Sequence, residues 1–269
     1  VKVPYLERRI ISGDLLEIER YYATCNGSKM PKSLKENETS KGQQDLNNRN
    51  AQKKLMRLIN ANFDGRKGDL FVTLTYRKPV SEKTAKKEIS DFQRRVRKYR
   101  KDHSLSELKY ITITEKQGKW HHHVILNALP LETITELWKH GRIMASVLDK
   151  AYNFEDLSKY LTAENKPSKG DKAQENAKEP RRKYARRWSG SHNLKKPIVE
   201  IREIKRADIL KRQPSAPKGY RLLKNWNIGT DIQGNLYQTF KCVKLEVNLP
   251  GNKRSKRSFQ KVELHSGLI

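Results

Sequence analysis

The chain has 269 residues, and 58 lysines and arginines against 30 aspartates and glutamates give it a net charge of +28. Charge of that size points to a polyanion, above all nucleic acid, because neutralising phosphates releases condensed counterions. No apolar run approaches the roughly 20 residues that span a bilayer and no secretory pattern opens the chain, so no membrane partner and a cytoplasmic location are expected.

Residues 10–23, "IISGDLLEIERYYA", mix strand-type apolar residues with charges. The stretch 26–50 is polar throughout and reads as a long loop or basic arm. In "AQKKLMRLI" (51–59), Leu55, Leu58 and Ile59 recur at helical spacing. "GDLFVTLTY" (68–76) alternates in strand-favouring residues. Ser81 then caps a helix, "EKTAKKEISDFQRRVRKYRK", with Ile89, Phe92, Val96 and Tyr99 on one face. "KYITITEK" (109–116) is a strand, "QGK" a turn, and "WHHHVILN" (120–127) a further strand. "LETITELWKHG" (131–141) predicts a helix ending at Gly141, and "RIMASVLD" (142–149) a fourth strand. A helix follows at 153–166, then a polar stretch at 167–196 dense in lysine and arginine. "PIVEIREIK" (197–205) reads as a strand, "ADILKR" (207–212) as a short helix, "GYRLLKNW" and "NLYQTFKCVKLEV" as strands, and "GNKRSKRSFQK" as a flexible basic tail.

Strand, helix, strand, strand, helix, strand is the split βαβ order. The expected fold class is therefore α+β, an antiparallel sheet with helices on one face and the other face free for a ligand. Three parts are expected: an N-terminal strand and basic arm (1–50), a central domain (51–200), and C-terminal strands with a basic tail (201–269).

Only two cysteines occur, Cys25 and Cys242, which excludes a disulfide framework and multi-cysteine zinc modules. Any metal must be held by histidine and carboxylate. Side chains alternate along a strand, so His121 and His123 share a face, about 7 Å apart at Cα, while His122 turns to the other. Glu115 ends the preceding strand, one short hairpin away. Two histidines and a carboxylate suit Mn²⁺ or Mg²⁺ and leave positions open for a phosphate oxygen. Taken alone, the histidine run reads better as a polar strand end with one histidine in the core; the nearby carboxylate and the net charge reverse that preference.

A metal that binds phosphate needs a nucleophile. Tyr160 falls on the flank of the helical stripe formed by Phe154, Leu157 and Leu161, where its ring can pack and its hydroxyl stay open. A phenol ordinarily titrates near 10, so a metal or base must assist it. The cluster Arg181, Arg182, Lys183, Arg186 and Arg187, interleaved with Tyr184 and Trp188 and extended by Lys195 and Lys196, suits single-stranded DNA, with charge on the backbone and rings on the bases. Arg94, Arg95, Arg97 and Lys98 read as the solvated side of a helix.

Together "FVTLTY", "EKQGKWHHHVIL" and "SKYLTAENK" resemble the HUH endonuclease superfamily, in particular the rolling-circle replication initiators of bacterial plasmids, phages and integrative conjugative elements. "NFDGRKGDLFVTLTY" is similar to their first motif and "RRWSGSHNLKKP" to a further segment, so the resemblance covers about 51 to 200. It implies the same split βαβ sheet, His121 and His123 as metal ligands with Glu115 as the third, and Tyr160 as the catalytic tyrosine, with Tyr152 in reserve. It also implies metal-dependent nicking and rejoining of single-stranded or hairpin origin DNA. A 5′-phosphotyrosine and a free 3′ hydroxyl would form, with a host helicase and polymerase as partners. Two residues depart from the pattern. His122 stands where relatives carry a hydrophobic residue, so a register in which His122 binds the metal stays open. Ala163 stands where relatives often carry lysine, leaving Lys159 or Lys166 for the phosphate, although helical phase sets neither beside Tyr160. No Walker-type loop occurs, so a fused helicase is not expected in this chain. The alternatives are a relaxase or single-tyrosine transposase with the same chemistry, and a non-catalytic single-strand-binding module of RNA-recognition type.

Overall fold

The structure is a computed structural model and describes residues 4–23, 41–148, 153–162, 186–205, 209, 213–231, 233–245 and 262–264. In chain order it contains β1 (Tyr5–Ser12), β2 (Leu15–Tyr22), α1 (Lys41–Asn62), a 3-10 turn (Gly65–Lys67), β3 (Leu70–Thr75) and α2 (Glu82–Asp102). There follow β4 (Tyr110–Gln117), β5 (Lys119–Leu126), α3 (Leu131–Leu137), β6 (Ile143–Val147) and α4 (Glu155–Thr162). The last elements are β7 (Ser189–Gly190), β8 (Ile198–Ile204), β9 (Tyr220–Leu222), β10 (Asn227–Thr230), β11 (Leu236–Lys244) and β12 (Val262–Leu264). The class is α+β. Two compact units form, one from Val1–Asn50 and Lys195–Ser255, the other from Ala51–Leu194 and Lys256–Ile269.

The second unit contains a six-stranded sheet in the order β12-β6-β3-β5-β4-β7 with every pair antiparallel. Within it, β6-β3-β5-β4 are the four strands of the split βαβ unit in the spatial order fourth, first, third, second. The helices α2 and α3 pack on one face: Ala85, Ile89, Phe92, Val96 and Ile134 meet Leu70, Val72, Leu74, Val124 and Leu126. Ser81 caps α2, its hydroxyl accepting from the Thr84 amide at 3.1 Å, an interaction worth about 1 kcal/mol.

The opposite face is not free, contrary to the expectation from strand order alone. Phe71, Ile111, Ile113 and Ile125 form an apolar half that must be buried, and α1 and α4 cover it through Leu55, Ile59, Phe154 and Leu161. Only the other half of this face, carrying Thr73, Thr75, Glu115, His121 and His123, is polar.

Three boundaries differ from the periodicity. The helix α1 starts at Lys41, in the stretch expected to be loop. Its first ten residues are solvated rather than packed, with Gln43 donating to Asn47 Oδ1 at 3.1 Å, and they extend a helix nucleated by the buried Leu55 and Ile59. The helix α3 stops at Leu137, short of Gly141, because Trp138 turns extended, buries its ring in the core and donates Nε1–H to the Thr75 carbonyl at 3.1 Å. The strand β12 lies where a tail was expected and pairs with β6 (Val262↔Ala145). The expected short helix at 207–212, most of the basic tail, and residues 163–166 of the expected fourth helix lie outside the described residues.

The first unit contains a sheet in the order β10-β11-β2-β1-β8, with β9 also on β11. Leu16, Ile18, Phe240 and Cys242 form its core with Ile11, Tyr220, Leu222 and Trp226. Beside them Glu7 is fully buried and ringed by Arg9, Arg20 and Arg202 at 2.7–2.9 Å. Burial alone would raise its carboxyl pKa, but the hydrogen bonds from Arg9 and Arg20 and the charges of Arg20 and Arg202 hold it below the usual range. Among the described residues no helix is long and apolar enough to cross a membrane.

Candidate metal centre

The site is built by register. β4 and β5 join at Gly118, which takes φ +68, a left-handed conformation that glycine adopts without strain. The resulting pairing sets Glu115 opposite His121 and Ile113 opposite His123. On the other side of β5, β3 sets Thr73 opposite His123 and Thr75 opposite His121. Gly141 keeps the end of β3 in place, since a Cβ there would collide with the Thr75 carbonyl oxygen.

His121 Nε2 and His123 Nε2 each lie 3.1 Å from Glu115 Oε1. The three candidate ligand atoms fall within 4.8 Å of one another and could hold a metal ion. Glu115 and His123 are buried and His121 is partly open. The second nitrogen of each ring is also engaged: His121 Nδ1 with the Lys119 carbonyl at 3.1 Å, His123 Nδ1 with Thr73 Oγ1 at 3.0 Å. A carbonyl only accepts, so Nδ1 of His121 carries the proton and the Nε2 lone pair of the neutral ring faces the carboxylate. A cation between them satisfies both, and the donor set therefore fits a divalent ion.

His122 does not join this group. It is fully buried on the α2/α3 side, with Nε2 2.8 Å from the Tyr76 hydroxyl and Nδ1 2.9 Å from Thr114 Oγ1. Burial, then the neighbouring His121 and His123, pushes its pKa down to about 3, so the ring is neutral. Burial, reinforced by Glu88, pushes the Tyr76 phenol up.

Tyr160 stands beside the centre. Its ring meets His123 edge-on at 5.5 Å between centroids and Phe71 at 6.4 Å, while Phe71 stacks on His123 at 5.6 Å. The residue is 45% exposed, and burial together with the Glu115 charge raises its phenol pKa. Lys159 points away into the carboxylates of Glu155 at 3.2 Å and Asp156 at 3.6 Å. Tyr152, Lys166, Arg181, Arg182, Lys183 and Tyr184 lie outside the described residues. Arg186 is exposed, Arg187 is partly buried, and Trp188 packs its ring against the core under α1 and α4. Lys195 and Lys196 are exposed just before β8. The stretch "RRWSGSHNLKKP" supplies β7, which pairs with β4 (Ile111↔Gly190) and closes that edge.

Several neighbours of the centre were not singled out from the sequence. Thr73 and Phe71 reach His123 only through the β3–β5 register. Arg142 is another: Ile143 belongs to the core under α2 and α3, so alternation turns Arg142 and Met144 to the His121/His123 face. Thr75 ties the Arg142 carbonyl with its amide at 3.0 Å and its hydroxyl at 2.8 Å.

The chain has no significant match among curated proteins or solved structures. Residues 69–165, which carry β3 through α4 and with them Glu115, His121, His123 and Tyr160, match the model of a replication-associated protein family of the ORF2 type, which supports a replication initiator role for this chain.

Proposed function

We propose that the protein is a rolling-circle replication initiator of the HUH endonuclease type, which nicks and rejoins single-stranded origin DNA through Tyr160. The observation that carries this reading is the contact between the Tyr160 and His123 rings, 5.5 Å apart, inside the segment that matches a replication-associated family. Glu115, His121 and His123 would hold the metal, and a bound Mn²⁺ or Mg²⁺ would supply Lewis-acid stabilisation to a non-bridging phosphate oxygen.

The remaining work falls to the chain itself. Thr73 and the Lys119 carbonyl fix the two imidazoles, each through Nδ1. Packing against Phe71 and His123 holds the Tyr160 ring while its hydroxyl stays accessible. The phenolic oxygen attacks phosphorus in line, the bond to the 3′ oxygen breaks, and the phenolic proton ends on the released 3′ hydroxyl. The phosphotyrosine retains the energy of the phosphodiester, so the same residues rejoin ends by the reverse step. Arg142 sets positive charge on this face for the phosphate backbone, and the basic run from Arg181 to Lys196 holds the strand. The free 3′ end then primes a host polymerase behind a host helicase. The test is incubation of the protein with labelled single-stranded DNA and Mn²⁺, looking for a covalent protein–DNA adduct that Tyr160→Phe does not form.

A further inference from the structure

The sheet of the first unit ends in β8, which pairs with β1 over its full length, from Tyr5↔Ile204 to Ile11↔Ile198. Among the described residues no strand pairs with its other edge. That edge is apolar: Ile198 is 60% exposed, Val199 48% and Ile201 58%. An open edge rich in β-branched residues is a template for strand addition, and proteins that stay monomeric usually blunt such an edge with proline, a bulge or lysine. The strand "IVEIREI" has none of these.

We propose that β8 is the self-association edge of the protein, where a second copy adds its own β8 antiparallel across a two-fold axis through Ile201. The charge pattern selects this occupant. With Ile201 opposite its own copy, Glu200 faces Arg202 of the second copy, Arg202 faces Glu200, and Ile198 faces Ile204. Sliding the pairing sets Glu200 against Glu200, Arg202 against Arg202, Glu200 against Glu203, or Glu200 against Ile201, each with like charges opposed or a charge against an apolar side chain. One register alone joins opposite charges and apolar residues at once. Arg202 is already oriented for it. Two of its nitrogens reach Glu7 at 2.7 and 2.9 Å, yet its side chain remains 56% exposed. Because three guanidiniums share the Glu7 carboxylate, positive charge remains for an incoming Glu200. The result is a continuous sheet through both copies, independent of the chemistry at Tyr160.

The experiment uses the full chain without DNA, in a Cys25→Ser background so that the buried Cys242 is the one native thiol. Sedimentation equilibrium should show a monomer–dimer transition with concentration, and Glu200→Arg should weaken the dimer more than tenfold while leaving the circular dichroism spectrum unchanged. Directly opposed strand residues lie within disulfide reach, so Ile201→Cys should form a covalent dimer under mild oxidation. Val199→Cys alone should not cross-link, but mixed with Glu203→Cys it should. A monomer at every concentration, a dimer indifferent to Glu200→Arg, or equal cross-linking through Val199→Cys alone would overturn the proposal.

Discussion

Tyr160 stands edge-on to His123, their ring centroids 5.5 Å apart and their planes inclined by 70°. The contact joins the centre on β5 to the nucleophile on α4. If Tyr160 acts as proposed, Tyr160→Phe keeps the ring packing and loses only the attacking oxygen. Nicking of single-stranded DNA should fall below detection while the affinity for the same strand, read by fluorescence anisotropy, changes less than about threefold.

The consecutive histidines separate cleanly by face. His121→Ala removes one of three converging donors and should weaken Mn²⁺ binding, measured by isothermal titration, by at least about tenfold. His122→Ala should leave Mn²⁺ affinity far less changed. It strands the Tyr76 and Thr114 hydroxyls in the core and should instead lower unfolding free energy by about 2–4 kcal/mol. Equal losses of metal affinity in the two variants would refute the assignment of faces.

Thr73 acts on the centre only through His123. Thr73→Val keeps the side-chain shape and removes the hydrogen bond to Nδ1, so Mn²⁺ affinity should drop about 10–100-fold with little loss of thermal stability. Rescue by Thr73→Ser, which restores the hydroxyl, separates this effect from a packing defect.

Charge near the phosphate should come from β6 rather than from the flank of α4. Arg142→Gln should slow nicking by about a hundredfold, the scale for removing one group aimed at developing charge. Lys159→Gln should change the rate little, since that ammonium is committed to Glu155 and Asp156. Single-turnover rates at saturating DNA decide between them.

The first unit should show its own pH dependence through Glu7. Its carboxyl pKa is lowered in the folded chain from the ordinary value of 4.5, so the unfolded chain binds the proton more tightly. The stabilisation is present above about 4.5 and is lost as pH falls through the lower folded value. Glu7→Gln should remove that slope and leave three arginines without their counter-charge, a loss of about 3–5 kcal/mol by denaturant titration at neutral pH.

Much of the central fold was legible because β3, β4, β5 and α2 obey simple periods, and the turn at Gly118 was short enough to bring Glu115 against His121. Tyr160 could be set on the flank of α4 by helical phase, but its approach to His123 depends on tertiary packing. The first turns of α1 carry no apolar period and were invisible for that reason. Trp138 continues a helical pattern in sequence, yet the Thr75 carbonyl and a core site for its indole draw it out of α3. Thr73 looks like any strand threonine until the β3–β5 register sets it beside His123. His122 read as ambiguous in sequence because its partners, Tyr76 and Thr114, come from two other strand positions.

The most direct measurement is to incubate the full chain with a labelled pool of single-stranded DNA and Mn²⁺, digest it, and sequence every peptide that carries nucleotide. A single adduct through the phenolic oxygen of Tyr160, bound to a 5′ phosphate and dependent on His121, is the predicted result. Cleavage without a covalent adduct, or an adduct on any other residue, would contradict the account.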